Sequence, residues 1–262
     1  MSIQLRDVHK AFGPKQVLRG VTLDVEEGET VSVVGFSGAG KSVMLKHING
    51  LLLPDRGTAF VDGLEVPKLG RRELFQLRLN IGYVFQFAAL FDSMSVAENI
   101  LMGLRKKGGL AEAEMRQRVA ESLALVDLTG YEERFPAELS GGQRKRAGLA
   151  RAIAYRPKYL LYDEPTSGLD PVTTTVIDRL IQRMKEELGV TSLVITHDME
   201  SAYAISDRIA MLYQGRVVEV GTPDEIRNSD NEVVRSFVEG RPDLAHDAET
   251  PLEPAAQQGR TA

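Results

Sequence analysis

The chain contains Gly35-Phe36-Ser37-Gly38-Ala39-Gly40-Lys41-Ser42, which matches the phosphate-binding pattern GxxxxGKS/T. A β-branched run over residues 31–34 precedes it, and apolar residues recur at helical spacing over residues 44–52. The glycines therefore lie in a strand-to-helix turn. Backbone N–H groups at the start of that helix can hold phosphates, Lys41 can reach the β- and γ-phosphates, and the Ser42 hydroxyl can ligate Mg²⁺. A glycine-rich turn that binds nothing is the weaker interpretation, because strand, lysine and serine are all present.

Composition limits the possible functions. The 262 residues can bury a sizeable core in one large domain, or in one domain with a subdomain. A net charge of −5 argues against general nucleic-acid binding through charge, so no nucleic-acid partner is expected. Zero cysteines exclude disulfides, thiolate metal sites and cysteine catalysis. No apolar run approaches the roughly 18 residues of a membrane span, so we expect a chain that is soluble by itself.

Short β-branched runs alternate with amphipathic stretches along the chain, which predicts an α/β fold. The predicted strands are residues 3–8, 21–25, 30–34, 58–61, 81–85, 159–162, 192–196, 209–213 and 217–220. Strands are sparse between residues 86 and 157, where 96–104, 112–126 and 143–155 have helical periodicity. A helical subdomain is therefore predicted to be inserted at about residues 87–157.

Three capping boxes support the predicted helix starts. A hydroxyl residue is followed three positions later by Glu or Gln in the pairs Ser95 with Glu98, Ser140 with Gln143, and Thr222 with Glu225. The basic run 144–146 follows the second of these boxes. We interpret that run as the solvated face of a helix, although a basic run could also suggest nucleic acid.

An acidic step, Asp163-Glu164, follows the apolar run 159–162. In an open parallel sheet the carboxyl ends of the strands are where ligands bind. A carboxylate at such a strand end can hold Mg²⁺, and Glu164, one residue on, can polarise a water for attack on a γ-phosphate. Two solvated acids at a strand end are the alternative, which the phosphate loop elsewhere in the chain disfavours.

Five motifs occur in the order and spacing of the ATP-binding cassette ATPases. They are residues 35–42, Gln86, Leu139-Ser140-Gly141-Gly142-Gln143, residues 159–164 with Ser167-Gly168-Leu169-Asp170, and His197. On these motifs the chain resembles the nucleotide-binding subunit of an ABC transporter over about residues 3–240. The resemblance implies a P-loop NTPase of the ABC-ATPase fold, with a RecA-like core, an antiparallel β-subdomain and the inserted α-helical subdomain.

The same resemblance implies ATP and Mg²⁺ as cofactors and gives each matching residue a role. Phe12, where tyrosine is usual, would stack on adenine. The other nucleotide contacts would come from Gly35, Ser37, Gly38, Ala39, Gly40, Lys41, Ser42 and Val43, and the Mg²⁺ contacts from Ser42, Gln86 and Asp163. The catalytic residues would be Glu164 as general base, Gln86 as a sensor of Mg²⁺ and the attacking water, His197 in contact with the γ-phosphate, and Lys41. Phe12 as a core aromatic and Gln86 as an ordinary strand-end residue are the alternatives.

The resemblance also implies a homodimer that sandwiches two ATP molecules. Ser140, Gly141, Gly142 and Gln143 would contact the nucleotide bound to the partner chain, and Asp170 would lie at the dimer seam. Taken alone, Ser140-Gly141-Gly142 is better explained as a capped helix start. However, the chain has two phosphate-type sites and one P-loop lysine, and a head-to-tail dimer would use both sites.

A narrower resemblance indicates what the transporter carries. The stretches 89–96, 188–191 and 236–240 look like those of the Mla/Mce-associated lipid-transport ATPases. That resemblance implies phospholipid traffic between the inner membrane and the outer envelope, with an integral-membrane permease dimer, a lipid-binding MCE-type protein and a peripheral position on the cytoplasmic face of the inner membrane. The apolar segment 87–99 would receive the permease, unless it is subdomain core.

Rival functions remain. An importer ATPase for amino acids or another small solute differs only in cargo. A soluble ABC ATPase acting on DNA or ribosomes usually has tandem cassettes or a long coiled-coil insertion, and a non-hydrolysing scaffold subunit would lack Glu164 or Ser140. Residues 241–262 are predicted to be a tail that is flexible, or that docks on the partner subunit.

Overall fold

The computed structural model describes residues 2–241. The strands of this part are β1 (Ile3–Phe12), β2 (Lys15–Val25), β3 (Thr30–Val34), β4 (Arg56–Val61), β5 (Leu64–Glu65), β6 (Ile81–Val84), β7 (Tyr159–Asp163), β8 (Thr191–Ile195), β9 (Arg208–Tyr213) and β10 (Arg216–Gly221). The helices are α1 (Lys41–Ile48), α2 (Arg71–Leu79), α3 (Val96–Lys107), α4 (Glu112–Leu125), α5 (Gly141–Ile153), α6 (Pro171–Leu188), α7 (Met199–Ile205), α8 (Pro223–Arg227) and α9 (Glu232–Val238).

The larger sheet has the strand order β10-β9-β3-β8-β7-β6 and is parallel except for β10 at its edge. Its central strand β3 is buried along its whole length, as the unbroken apolar and β-branched run predicts. Because the strands are parallel, their carboxyl ends meet at one edge. The phosphate loop after β3, Asp163 at the end of β7 and His197 beyond β8 therefore lie along the same edge.

The smaller sheet is antiparallel, with the order β2-β1-β4-β5. Its inner side chains, among them Leu5 and Val21, pack with α1 and β3 in one apolar core. Strand β1 is longer than the predicted segment 3–8, because pairing with β2 continues past a register shift and ends at Phe12 opposite Lys15. The sheet thereby carries Phe12 to the end of its hairpin.

Helices α3, α4 and α5 pack together around Leu104, Leu123 and Ala150, which are fully buried. The three predicted helices are thus present, with small boundary differences, since α4 ends at Leu125 and α5 at Ile153, one and two residues before the predicted ends. Helix α3 continues to Lys107, and α5 begins at Gly141 rather than at residue 143, because the capping residue Ser140 makes the next residue the first of the helix. The fold is that of an α/β nucleotide-binding core with an antiparallel sheet and a helical subdomain, as the sequence predicts.

All three capping boxes form. The hydroxyl oxygens of Ser95, Ser140 and Thr222 accept from the backbone N–H three residues on, and the Glu or Gln side chain there accepts from the N–H of the cap. Within residues 2–241, the helices are all too short or too polar to cross a membrane. Apart from Arg241, the predicted tail 241–262 lies outside the described residues.

Candidate nucleotide-binding site

The glycines of the phosphate loop have backbone angles that other residues rarely adopt. Gly35 has φ 152°, and a Cβ there would lie 2.1 Å from the backbone oxygen of Leu212 on β9. Gly40 caps α1 with φ 103°. The first bond of this helix runs from Met44 N to Gly40 O at 2.9 Å, so the N–H groups of residues 41–43 have no helical acceptor. These N–H groups are therefore available to an anion, and their contact with phosphate stays a prediction.

The side chains of the loop divide by exposure. Ser37 and Gly38 lie exposed at its tip, whereas Ala39 is buried and Val43 packs partly against the apolar core. Ala39 and Val43 can therefore meet a nucleotide through their backbone.

Lys41 is 8% exposed, and its Nζ donates to Gly35 O at 2.6 Å and to Phe36 O at 3.1 Å. Burial lowers the pKa of this amine, and the nearby carboxylates of Glu164 and Asp163 oppose that change. The ammonium is thus held over the phosphate loop by two carbonyls, 4.0 Å from Glu164 Oε1.

Both oxygens of Asp163 accept hydrogen bonds. Ser42 Oγ donates to Oδ1 at 2.7 Å, and Tyr83 OH donates to Oδ2 at 3.0 Å. Burial, together with the charge of Asp163, raises the pKa of Tyr83, so its hydroxyl stays protonated and donates. Tyr83 was not predicted as a site residue, because its partner lies on another strand and no local pattern marks it.

The oxygens of Ser42 and Asp163 fit a hard divalent cation. Mg²⁺ takes one or two protein oxygens and completes its shell with phosphate and water, and these two oxygens touch beside the phosphate-binding N–H groups. Within residues 2–241 there is no group of three or more His, Cys, Asp or Glu side chains placed to hold a metal.

Glu164 and His197 form a hydrogen-bonded pair, with His197 Nδ1 at 2.7 Å from Glu164 Oε2. Glu164 has a left-handed φ of 52°, and its N–H donates to Ile195 O at 2.9 Å on the neighbouring strand. Its carboxylate is largely buried while the imidazole is mostly exposed. One carboxylate is therefore aimed between Lys41 and His197, as a base for an incoming water requires.

Gln86 follows β6, and its Nε2 donates to Ser167 Oγ at 3.3 Å. The predicted contacts of Gln86 with Mg²⁺ and the attacking water stay predictions. What the structure adds is that Gln86 contacts the loop between Glu164 and Asp170.

The second glycine motif is a helix start. Ser140 N-caps α5, its Oγ accepting from Gln143 N at 3.2 Å, and Ser140 and Gly141 are exposed. Gly142 is buried, and a Cβ there would lie 2.5 Å from Thr173 Cγ2 on α6. Within the described chain, the side chain of Ser140 bonds only inside this capping box, and its contact with a partner's nucleotide stays a prediction.

The predicted roles of Phe12 and Asp170 require accessible side chains, and both residues are exposed. Phe12 is 48% exposed, with Lys10 Nζ 5.7 Å from the ring centroid. Asp170 caps α6 by accepting from the N–H groups of Val172 and Thr173, and bonding to Thr173 Oγ1 lowers the pKa of its carboxyl. Adenine stacking and a seam position stay predictions.

The interpretation of residues 144–146 as a solvated face holds for Arg144, which is exposed, but only in part for Lys145 and Arg146, which are half-buried and bonded to other segments. Arg144 Nη1 donates to Leu139 O, and Arg146 Nη1 donates to the carbonyls of residues 126 and 127. Lys145 Nζ donates to Ser167 O at 2.7 Å and to Glu164 O at 3.4 Å. The partial burial of Lys145 could have been predicted from helical spacing, because residue 145 lies on the same face of α5 as residues 149 and 152, which are buried.

The turn after Gln86 is held by α5. Ala88 and Ala89 have left-handed φ angles of 59° and 49°, and Arg151 donates to both carbonyls, at 2.9 and 2.5 Å. Phe87, between Gln86 and these residues, is 86% exposed. The segment 87–99 is therefore part surface and part core, because Ala88 and Val96 are buried.

An apolar cavity lies next to this region. It measures about 190 Å³ and is lined in part by Leu51, Tyr83 and Phe85. The ring of Phe85 lies 4.4 Å from that of Tyr83, which in turn bonds Asp163. Exposed apolar surface of this kind is typical of a protein interaction site.

Sequence comparisons identify relatives of this chain. The ABC transporter family model matches residues 18–167. The probable ribonucleotide transport ATP-binding protein mkl of Mycobacterium leprae is 41% identical over 241 residues, covering 92% of this chain and 70% of that protein. The Arabidopsis thaliana protein TRIGALACTOSYLDIACYLGLYCEROL 3, chloroplastic, is 42% identical over 91% of this chain and 73% of its own length. The methionine import ATP-binding protein MetN of Carboxydothermus hydrogenoformans is 45% identical over 83% of this chain and 65% of its own.

Among solved structures, the fold is similar to that of the ATP-binding cassette MJ0796, in a dimeric post-hydrolysis state bound to ADP and Pi. The two superpose with a TM-score of 0.77 at 35% identity, over 84% of this chain and 98% of the cassette.

Proposed function

This chain belongs to the ABC transporter family and is an ATP-binding ATPase, and we propose that it powers a permease moving phospholipids or related lipids between the inner membrane and the outer envelope. The observation that carries the cargo is the segment 89–96, whose residues resemble those of lipid-transport ATPases. A relative named after a glycolipid, with 42% identity over 91% of this chain, supports the same cargo.

The proposed chemistry starts at Glu164. Its carboxylate accepts a proton from water as the water oxygen bonds to the γ-phosphorus, and the bond to the β–γ bridging oxygen breaks to give ADP and phosphate. Lys41 and the N–H groups of residues 41–43 hold the phosphate oxygens, and His197 orients the Glu164 carboxylate. Mg²⁺ bound by Ser42 and Asp163 would offset phosphate charge.

We propose that two copies of the chain close head to tail around two ATP molecules. Each nucleotide would then lie between one chain's phosphate loop and its partner's residues 140–143, with Asp170 at the seam. The support is the exposed cap of α5, which has an anion-binding helix end without a phosphate loop of its own. The dimeric cassette bound to ADP and Pi is similar to this chain along 98% of its own length.

The permease would dock on the aromatic turn at residues 85–91 and on the cavity beside it. Phe87 is 86% exposed, and Arg151 fixes the backbone of this turn, so the aromatic side chain is presented outward from a rigid support. An MCE-type lipid-binding protein and a peripheral position on the cytoplasmic face of the inner membrane complete the proposed assembly.

An importer ATPase for a small solute is the second candidate. It is favoured by the methionine import relative at 45% identity, which is higher than that of the relative named after a glycolipid. The site chemistry is the same for both candidates, so the cargo must be identified from the proteins and lipids that assemble with the chain.

The test is purification of the assembly from native membranes in mild detergent, with identification of the co-purifying proteins and mass spectrometry of extracted lipid. A permease with an MCE-type protein and phospholipid supports the lipid cargo. A solute-binding protein without lipid replaces it with the importer, and no membrane partner contradicts transport. Phe87→Asp should release the permease, whereas Leu64→Asp, at an exposed apolar residue on β5, should not.

A further inference from the structure

Lys145 connects the helix that begins at Ser140 with the loop that follows β7. Its Nζ donates to Ser167 O at 2.7 Å and to Glu164 O at 3.4 Å. Both acceptors are backbone carbonyls of one short turn, in which Ser167 N donates back to Glu164 O at 3.2 Å. The lysine thus holds the backbone immediately around the proposed general base.

The neighbouring cations on α5 do not share this role. Arg144 and Arg146 bond carbonyls of the segment that joins α4 to α5 within the helical subdomain, outside the 164–170 loop. Burial lowers the pKa of Lys145 to about 8, opposed by the charge of Glu164. Such a desolvated amine is costly to leave without acceptors, so its two carbonyl bonds are strongly favoured.

The loop held by Lys145 also contacts Gln86. Ser167 Oγ accepts from Gln86 Nε2 at 3.3 Å, while the carbonyl of the same residue accepts from Lys145. At the other end of the loop, Asp170 caps α6. Movement of α5 relative to this loop must therefore displace Ser167, and with it the backbone of Glu164.

We propose that Lys145 is a positioning residue that couples the two ATP sites of a dimer through a single chain. The inference rests on the proposed composite sites. In each chain, Glu164 acts on the ATP held by that chain's own phosphate loop, whereas Ser140 contacts the ATP held by the phosphate loop of the partner chain. Lys145 is a direct side-chain link between these two half-sites. Closure of α5 on one nucleotide would fix the base at the other.

The test measures cooperativity of ATP hydrolysis. A two-site dimer allows Hill coefficients up to about two, and we expect the unaltered chain to be well above one. Lys145→Met keeps an unbranched apolar stem and removes the ammonium with its donors, so the Hill coefficient should fall to about one and saturated turnover should fall roughly tenfold. Lys145→Arg, which keeps a cation able to reach both carbonyls, should restore cooperativity.

Arg146→Met is the matched control, since it removes a cation one residue along α5 and leaves residues 164–167 untouched. Its Hill coefficient should stay that of the unaltered chain. Should Lys145→Met fail to fold, Lys145→Gln, whose amide is one bond shorter and cannot span both carbonyls, takes its place with the same expected loss. An unchanged Hill coefficient in the folded Lys145 variant, or an equal loss in Arg146→Met, would overturn the inference.

A separate experiment tests whether the composite sites form. ATP should drive dimerisation of Glu164→Gln with Lys145 intact, measured by light scattering. Without that dimer the composite sites are wrong and the coupling through Lys145 falls with them. With that dimer and unaltered cooperativity in the Lys145 variant, only the role of Lys145 is wrong.

Discussion

His197 Nδ1 lies 2.7 Å from Glu164 Oε2, although 33 residues separate the two in sequence. The register of β7 and β8, which pairs Asp163 with Ile195, sets this distance, because the residues just past each strand then emerge side by side. The imidazole is mostly exposed and the carboxylate is not, so the pair reaches from the protein interior to the surface where ATP would bind.

Replacing Glu164 with glutamine should stop turnover while ATP binding is retained. The amide has the same shape but cannot accept a proton from water, and loss of a general base typically lowers the rate by roughly 100- to 10,000-fold. Steady-state ATPase assays and equilibrium nucleotide binding check the two halves of this prediction. Glu232→Gln, at an exposed carboxylate on α9, should turn over normally, and wild-type turnover in Glu164→Gln would end the assignment.

Replacing Lys41 with alanine should weaken ATP binding itself. A charge-assisted hydrogen bond contributes about 1.5–3 kcal/mol, so the Kd should rise roughly 10- to 100-fold. Isothermal titration calorimetry measures this directly. Lys46→Ala, on the same helix, should bind ATP as the unaltered chain does, and an unchanged Kd in Lys41→Ala contradicts the role of the phosphate loop.

Tyr83→Phe should raise the Mg²⁺ concentration needed for half-maximal activity. The change removes only the hydroxyl that holds Asp163 Oδ2, and the loss of such a second partner of a metal ligand typically costs 10- to 100-fold in metal affinity. Binding of Mn²⁺, followed by electron paramagnetic resonance with a non-hydrolysable ATP analogue, provides a readout that is independent of turnover.

Tyr155→Phe is the control for the Tyr83 prediction. It removes a hydroxyl that bonds Ile81 O, on the same strand as Tyr83. Equal metal affinities in both variants would show that the hydroxyl of Tyr83 does not position Asp163.

Asp178→Asn should stabilise the chain at neutral pH. Burial raises the pKa of Asp178 to about 6, with Asp198 acting in the same direction and a bond from Ser201 opposing it. The folded chain therefore holds this proton more tightly than the unfolded chain. The resulting stability is fully present below pH ~4 and is lost as the pH rises through about 6.

The asparagine carries no charge to bury, so at pH 7 the variant should be more stable by about 1–3 kcal/mol, and this gain should vanish near pH 4. Thermal unfolding across that range measures it. Asp230→Asn, at an exposed position, is the control, and a pH-independent difference for Asp178→Asn would contradict the assigned cause.

The parts of the site that depend on local sequence motifs could be predicted. The phosphate loop and the Asp163-Glu164 step each follow an apolar strand, and such strands end at one edge of a parallel sheet. The capping boxes likewise depend on residues three apart, and all three form.

Contacts between distant segments were not predictable in this way. Tyr83 and Lys145 reach partners that lie 80 and 22 residues away, and their roles depend on how β6 and α5 pack against β7. Helix α6 is not among the predicted helices, although its start has two local signals, Asp170 as a cap and Pro171 in the first turn.

The bonds from Arg151 end on the carbonyl oxygens of Ala88 and Ala89, not on side chains. Backbone oxygens are the same in every amino acid, so these bonds make no demand on the exposed side chain of Phe87, whereas Ala88 is buried against α5. Phe87 can therefore be exchanged for other residues while the turn keeps its place on α5. Under the proposed docking of the permease, substitutions at this exposed position would change the fit to a membrane partner and leave the ATP chemistry intact.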